Sequence, residues 1–336
     1  MAPSSLPPLA DILPPLVLGG GGFSYQLISD PQSIPISDII KSAFEAGIRA
    51  IDTSPYYEPS EQLLGKALSQ PEISTHYPRS EYVLMTKSVN KSLERLGAMY
   101  LDVVFCHDIE FVTDEETIEA VGELLEFVRD GKVRYIGLSS YFIPLLSRRA
   151  NMVRERFGRP VDGIETWSHM SLQSSRLETE GLKAFNDAGV CCILNASPLA
   201  IGLLRVGSVP QGRLGDFHPA PAGLRKAAQD AGAYVSRQGE NLAALALRYA
   251  VWRSVACSNG SVRVCIITGI SSIAELTENV EAVQKVLLST DDTSKRLSSS
   301  CTINQTQVEK DLPRFQKVQE ILGGRVNYSL INPEVG

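Results

Sequence analysis

Eight short apolar runs, each bounded by turn residues and most followed by an amphipathic stretch, constrain this chain more than any other feature. They are Leu16–Phe23, Ile48–Asp52, Tyr82–Lys87, Leu101–Asp108, Val133–Ser140, Gly163–Thr166, Val190–Asn195 and Val262–Gly269. Their cores are nearly continuous in apolar residues rather than alternating. That is the pattern of strands covered on both faces, as in a parallel sheet wrapped by helices. The stretches between them read as helices. Ser37–Gly47, Ser60–Leu68, Thr113–Asp130, Leu177–Gly189, Leu224–Gln238, Leu242–Arg253 and Ser271–Val286 carry helical periodicity, several with a cap residue or a terminal glycine. Eight βα units on one chain point to a closed (β/α)8 barrel more than to an open sheet.

The 336 residues fit one barrel with insertions, so residues 1–336 are expected to form a single domain. Met1 to Pro15 is proline-rich with no basic stretch. It is expected to be a flexible segment over 1–14 and not a signal peptide. The Ser/Thr-rich span 289–307 is expected to be an insertion loop. Hydrophobic content of 43% and charged content of 21% are those of a globular protein with a sizeable core. The net charge of −6 supplies no footprint for nucleic acid or an anionic membrane, and no apolar run is long enough to span a bilayer. The six cysteines form no CxxC pair. They read as reduced, buried thiols of a cytoplasmic protein, with the neighbours Cys191 and Cys192 open to a redox reading as well. The scattered histidines have no metal-ligand spacing, so no metal is expected.

In a (β/α)8 barrel the chemistry sits where strands end. Three successive strand ends carry Asp52 with Tyr57, then Lys87, then His107. A tyrosine is a poor proton-transfer group near neutral pH, and a neighbouring ammonium stabilises its phenolate. An aspartate can hold that ammonium in place, and a histidine can orient a substrate oxygen. Taken singly, an aspartate at a strand end is often a cap, a strand-end lysine is often solvated, and His107 can be structural. Together they describe proton transfer to or from a carbonyl or alcohol oxygen. The cluster Gly19–Gly22 after the first strand lacks the GxGxxG spacing, so a strand end lying under a planar ligand fits it better than a phosphate loop.

Four segments resemble the aldo-keto reductases. Gly47–Tyr57 is similar to the family's first signature, and Lys132–Ser139 to the one after its fourth helix. Ser197-Pro198-Leu199 is similar to the entry of its cofactor loop, and Ile267–Ser272 through Glu278-Asn279 to its C-terminal cofactor motif. The resemblance spans about residues 15 to 285; His107–Phe111 and Ile34-Pro35 narrow it to the branch that dehydrogenates aldoses. It implies that Asp52, Tyr57, Lys87 and His107 form a catalytic tetrad, with Tyr57 as the acid/base. It also implies a nicotinamide cofactor held by Ser139, Ser140, Ser197, Leu199, Gly269, Ser271, Ser272, Glu275, Glu278 and Asn279. Phe23, Tyr56 and Trp167 are the expected substrate-side residues. Where NADPH-dependent members carry cations, this chain has Glu275 and Gly269, which points to NAD in preference to NADP.

One departure stands out. Lys87 runs at once into Ser88–Gly97, which resembles only the end of the family's helix at that place. The third βα unit is thus shortened by about twenty residues, and the ten or so that remain span about 15 Å as helix. A shortened but active enzyme, a barrel that has lost the reaction and serves as a nucleotide-binding or partner protein, and a mis-spliced gene model all fit. The active reading is an NAD(P)-dependent oxidoreductase that oxidises an aldose such as D-arabinose to its 1,4-lactone; the alternative is a reductase of another carbonyl substrate, as in secondary metabolism, with the open rim after Lys87 admitting a larger one. No nucleic-acid or membrane partner is expected, and the chain is expected to be a monomer or weak homodimer.

Overall fold

The computed structural model describes residues 6–209, 218–289, 297 and 300–331. Eight parallel strands close into a barrel in sequence order: β1 Leu16–Gly19, β2 Ala50–Asp52, β3 Val83–Thr86, β4 Leu101–Cys106, β5 Val133–Ser139, β6 Gly163–Trp167, β7 Cys192–Ala196 and β8 Arg263–Gly269. Closure comes from β1 pairing with β8, where Leu16 meets Ile266 and Gly19 meets Gly269. Each of the eight expected strands is present.

The barrel is wrapped by α2 Ile36–Glu45, α3 Ser60–Leu68, α4 Pro71–Ser74, α5 Asn90–Leu96, α6 Asp114–Arg129, α7 Ile143–Phe157, α8 Leu182–Asp187, α9 Ala222–Arg237, α10 Leu242–Cys257 and α11 Ile273–Val286. α6 is started by a full capping box: Thr113 accepts from the Glu116 N–H, and the Glu116 carboxylate accepts from the Thr113 N–H. Apolar faces of α2, α3, α6 and α7 pack on the outward side chains of the strands, for example Ile39, Leu64, Val121 and Leu146 against Leu18, Ile51 and Ile136. The inward side chains, among them Val17, Met85, Val103, Phe105, Leu194 and Cys265, fill the barrel and make it a solid core. Cys192 and Cys265 belong to this interior as free thiols.

The expectation of a flexible segment over 1–14 does not hold for its described part. Leu9–Ile12 forms a helical turn, α1, beneath the barrel. Leu9 and Leu13 are buried among the interior side chains, and the Tyr135 hydroxyl donates to the Pro7 carbonyl at 2.6 Å. An uncovered barrel floor would leave the inner apolar layer in water, and these leucines cover it. The expected insertion loop over 289–307 is also corrected in part. Residues 290–296, 298 and 299 of that span lie outside the described residues. Leu297 is buried and its N–H donates to the Ala46 carbonyl at 2.8 Å. Thr302–Ile303 (β10) pairs antiparallel with Leu287–Leu288 (β9), and Gln305 already begins α12, Gln305–Leu322. α12 builds a second core with α9 and α10 through Phe315, Val318 and Leu322.

The shortened third unit is accommodated by close packing. Only Lys87, Ser88 and Val89 separate β3 from α5, which ends at Gly97 in the left-handed conformation (φ 61°). α5 lies against α3 at Gly65, where a Cβ would stand 2.2 Å from the Arg95 carbonyl oxygen. No helix of the described residues is long and apolar enough to cross a membrane.

Candidate active site

The strand ends open into a cavity of about 620 Å³, within the range of small-molecule and cofactor sites. Asp52 closes β2 and is 3% exposed. Lys87, one residue beyond β3, turns inward despite the short connection: its side chain is 1% exposed and its ammonium pairs with the Asp52 carboxylate. Two features hold it so. The Thr53 N–H donates to the Met85 carbonyl at 2.9 Å, fixing β2 against β3 just before the lysine. The buried Glu61 of α3 accepts from Thr86 Oγ1 at 2.8 Å and from Ser92 Oγ at 2.6 Å, and it pairs with Arg95 at 3.1 Å. One carboxylate therefore ties α3, the end of β3 and α5 together.

Lys87 has a second partner that the sequence reading missed. Glu165 Oε2 on β6 lies 2.8 Å from its ammonium, an ion pair out of hydrogen-bond alignment. Burial and the charge of Glu165 push Asp52 up to about 7, against the pull of Lys87. The two carboxylates hold the Lys87 proton firmly, raising its pKa against the opposing effect of burial. Tyr57 lines the same cavity. Burial drives its hydroxyl above the ordinary tyrosine range; Lys87 acts to lower it, while Asp52 and Glu165 act to raise it. His107 lines the cavity just past β4, its Nδ1 2.9 Å from the Asp108 carboxylate. Asp108 takes the left-handed conformation (φ 53°), which turns the chain into the cavity rim.

The other expected residues divide. Ser139, Ser140, Ser197 and Gly269 line the cavity, as do Tyr56 and Trp167. Phe23 does not: it is fully buried in the core between barrel and helices, so its place as a substrate-side residue is corrected. Its ring follows a short 3-10 turn, Gly20–Phe23, that swings it outward from the cavity. Leu199 is half-buried against the second core, and Ile201 lines the cavity instead. Ser271, Ser272, Glu275, Glu278 and Asn279 lie past the cavity edge at Gly269, around the first turns of α11. There Ser272 caps the helix by accepting from the Glu275 N–H, and Glu275 accepts from both the N–H (2.8 Å) and hydroxyl (2.7 Å) of Ser271. Tyr141 completes the wall; its ring meets Trp167 edge-on at 4.7 Å, and its carbonyl is held by His169 Nε2 at 2.8 Å.

The residues present fit a nicotinamide cofactor. Thr166 lines the cavity with a buried hydroxyl that has no partner among the described residues, a group suited to a polar ligand. Between the β1 and β8 loops the backbones approach so closely that a Cβ on Gly22 would stand 2.3 Å from the Ile270 carbonyl oxygen. Together the fold and cavity are those of a barrel enzyme whose strand ends can receive a nicotinamide cofactor.

The aldo/keto reductase family model matches residues 15–298, and the chain belongs to that family. It is 37% identical over 283 residues to D-arabinose 1-dehydrogenase of Saccharomyces cerevisiae, covering 78% of this chain and 80% of that one. It is 32% identical over 267 residues to L-galactose dehydrogenase of Arabidopsis thaliana, covering 74% and 77%. α12 and the segment after it lie beyond the matched span.

Proposed function

We propose that the chain is an NAD-dependent dehydrogenase that oxidises the anomeric carbon of an aldose such as D-arabinose to its 1,4-lactone. The observation that carries this is the inward Lys87, locked between Asp52 and Glu165 beneath the cavity that Tyr57 and His107 line. The names of the two relatives support the substrate class.

Tyr57 accepts the proton of the anomeric hydroxyl. Lys87 stabilises the phenolate that must exist for this to happen, and Asp52 keeps the ammonium in place. His107, braced by Asp108, hydrogen-bonds the substrate oxygen and orients it. A bound nicotinamide would supply the hydride acceptor for C1; with that C–H bond and the O–H bond broken, the proton is on Tyr57 and the lactone carbonyl is formed. Ser139, Ser140 and Thr166 would hold its carboxamide, with Ser197 and Gly269 along its phosphates. Glu275, with Ser271, would receive the adenosine ribose. A carboxylate there accepts from a 2′-hydroxyl and repels a 2′-phosphate, which favours NAD.

NADH formation from D-arabinose, followed by absorbance, tests the reading, with NADP turned over much more slowly. Tyr57→Phe should lower kcat by about a thousandfold while leaving the fold intact by circular dichroism. Unchanged turnover would remove Tyr57 from the mechanism. A second reading, reduction of a larger carbonyl compound, is favoured by the apolar rim: Tyr56 is 68% exposed, Phe111 63% and Leu27 51%. A panel of aromatic and aliphatic aldehydes with NADPH and NADH separates the two.

A further inference from the structure

The cavity is acidic on one side. Asp52, Glu165 and Asp108 line it from β2, β6 and the β4 rim, and among the described residues no lysine or arginine lines it. Lys87 beneath the floor is shared by two carboxylates, so this trio carries a surplus negative charge once Asp52 is ionised, above about pH 7. Among the described residues Glu165 makes no side-chain hydrogen bond, and its only ion-pair contact is through Oε2 to Lys87, so Oε1 takes no donor from them. That oxygen is an open acceptor on a residue of the cavity wall. Asp108 reaches the same space with a side chain about one third exposed, at 30%. Behind them Glu110 carries both carboxylate oxygens buried without a hydrogen-bond partner. Asp108, Glu110 and Glu165 converge on Tyr141, whose hydroxyl they help push up to about 12, after burial.

A carboxylate oxygen that no protein group donates to is left to water or to a ligand that can donate to it. Hydroxyl donors complete it well, and anions are repelled at close range. We propose that Glu165, assisted by Asp108, sets the substrate charge: Glu165 accepts a hydroxyl of an uncharged polyol, and the two carboxylates exclude sugar phosphates and sugar acids. This rests on the aldose reading and names the subclass, neutral free sugars.

The test compares matched pairs on one enzyme: D-arabinose with D-arabinose 5-phosphate, and D-galactose with D-galacturonate. The ratio of kcat/KM within a pair does not depend on the fraction of active protein, so a partly misfolded variant still reports. Wild type should favour the neutral member by about a hundredfold, and Glu165→Gln and Asp108→Asn should each reduce that ratio by about tenfold. The same pairs are titrated without turnover by intrinsic fluorescence, to which Trp167 in the cavity wall contributes. Ratios within about twofold of wild type in both variants would overturn the proposal; so would a wild type that accepts both members equally. If no sugar is oxidised but binding keeps its charge preference and loses it in Glu165→Gln, aldose oxidation fails and charge selection stands. If no sugar of either kind binds, both fail.

Discussion

Asp52 carries the consequence of placing two carboxylates on one ammonium. Its folded pKa of about 7 stands above the 3.8 of an unperturbed aspartate, chiefly because it is buried and secondly because Glu165 repels its charge. Between those two values the folded chain holds a proton that the unfolded chain has lost. The protonated carboxyl therefore contributes stability at low pH that is lost as pH rises from about 4 through about 7. Lys87, whose proton is held more tightly than usual, does not titrate in that window. The melting temperature of wild type should fall between pH 5 and pH 8 by more than that of Asp52→Asn, the difference reaching at most a few kcal/mol. Equal slopes in a pH series of thermal melts would mean that Asp52 titrates normally in the fold. Asp52, Lys87 and His107 were legible as residues at or just past strand ends. Glu165 was not, because it sits two residues before the end of β6, where only the inward phase of a strand paired on both sides aims it at Lys87.

Among the elements, the strands were the most legible, since eight apolar runs bounded by turns have few other solutions. Besides the short α1 and α4, two long helices were not foreseen. α7 carries the buried Arg149, which donates to the Val112 carbonyl at 2.6 Å and to Thr117 Oγ1 at 2.7 Å, both over thirty residues away in sequence. α12 carries the buried Asp311, paired with Arg248 at 2.6 Å across 63 residues. In each a charged residue interrupts the apolar stripe, and the partner that makes it acceptable lies in another element. The α3–α5 contact likewise escapes any local pattern, although it is what makes the short third unit workable. Replacing Gly65 with alanine gains about 1 kcal/mol of helix propensity, but its Cβ would meet backbone at 2.2 and 2.9 Å, which cannot yield as a flexible side chain would. Forcing the helices apart costs typically 1–3 kcal/mol, so the variant should be net destabilised. Because α5 is only three residues from Lys87, kcat should fall with it. A chemical-denaturation midpoint at or above wild type would show that the two helices have room to separate.

At the scale of the whole molecule, the barrel is finished by chain from both ends. The N-terminal leucines cover its floor, and the segment after α12 returns to the cavity. That segment is held by backbone geometry: Asn327, in the left-handed conformation (φ 66°), accepts from the Ser175 N–H at 2.8 Å, and its own N–H donates to the Gln173 carbonyl at 2.7 Å. Gln173 Nε2 in turn donates to the carbonyls of Arg325 (3.1 Å) and Tyr328 (3.0 Å). The result sets Leu330, 6% exposed, and Ile331 into the cavity wall opposite the glycine loop. Since this segment lies past the span that matches the family model, it is a part of the pocket that the family pattern does not specify. Deleting 326–336 takes Leu330 and Val326 from the edge of the second core but leaves α12 with Phe315, Val318 and Leu322 in place, so the fold should survive with a lowered melting temperature. The sugar, however, loses one wall of its site. KM for the aldose should rise by about tenfold, the scale of removing one or two methylene contacts, while KM for the cofactor changes less. Steady-state kinetics with each substrate varied separately would show this split; an unchanged sugar KM would mean that the returning segment closes the cavity without touching what binds there.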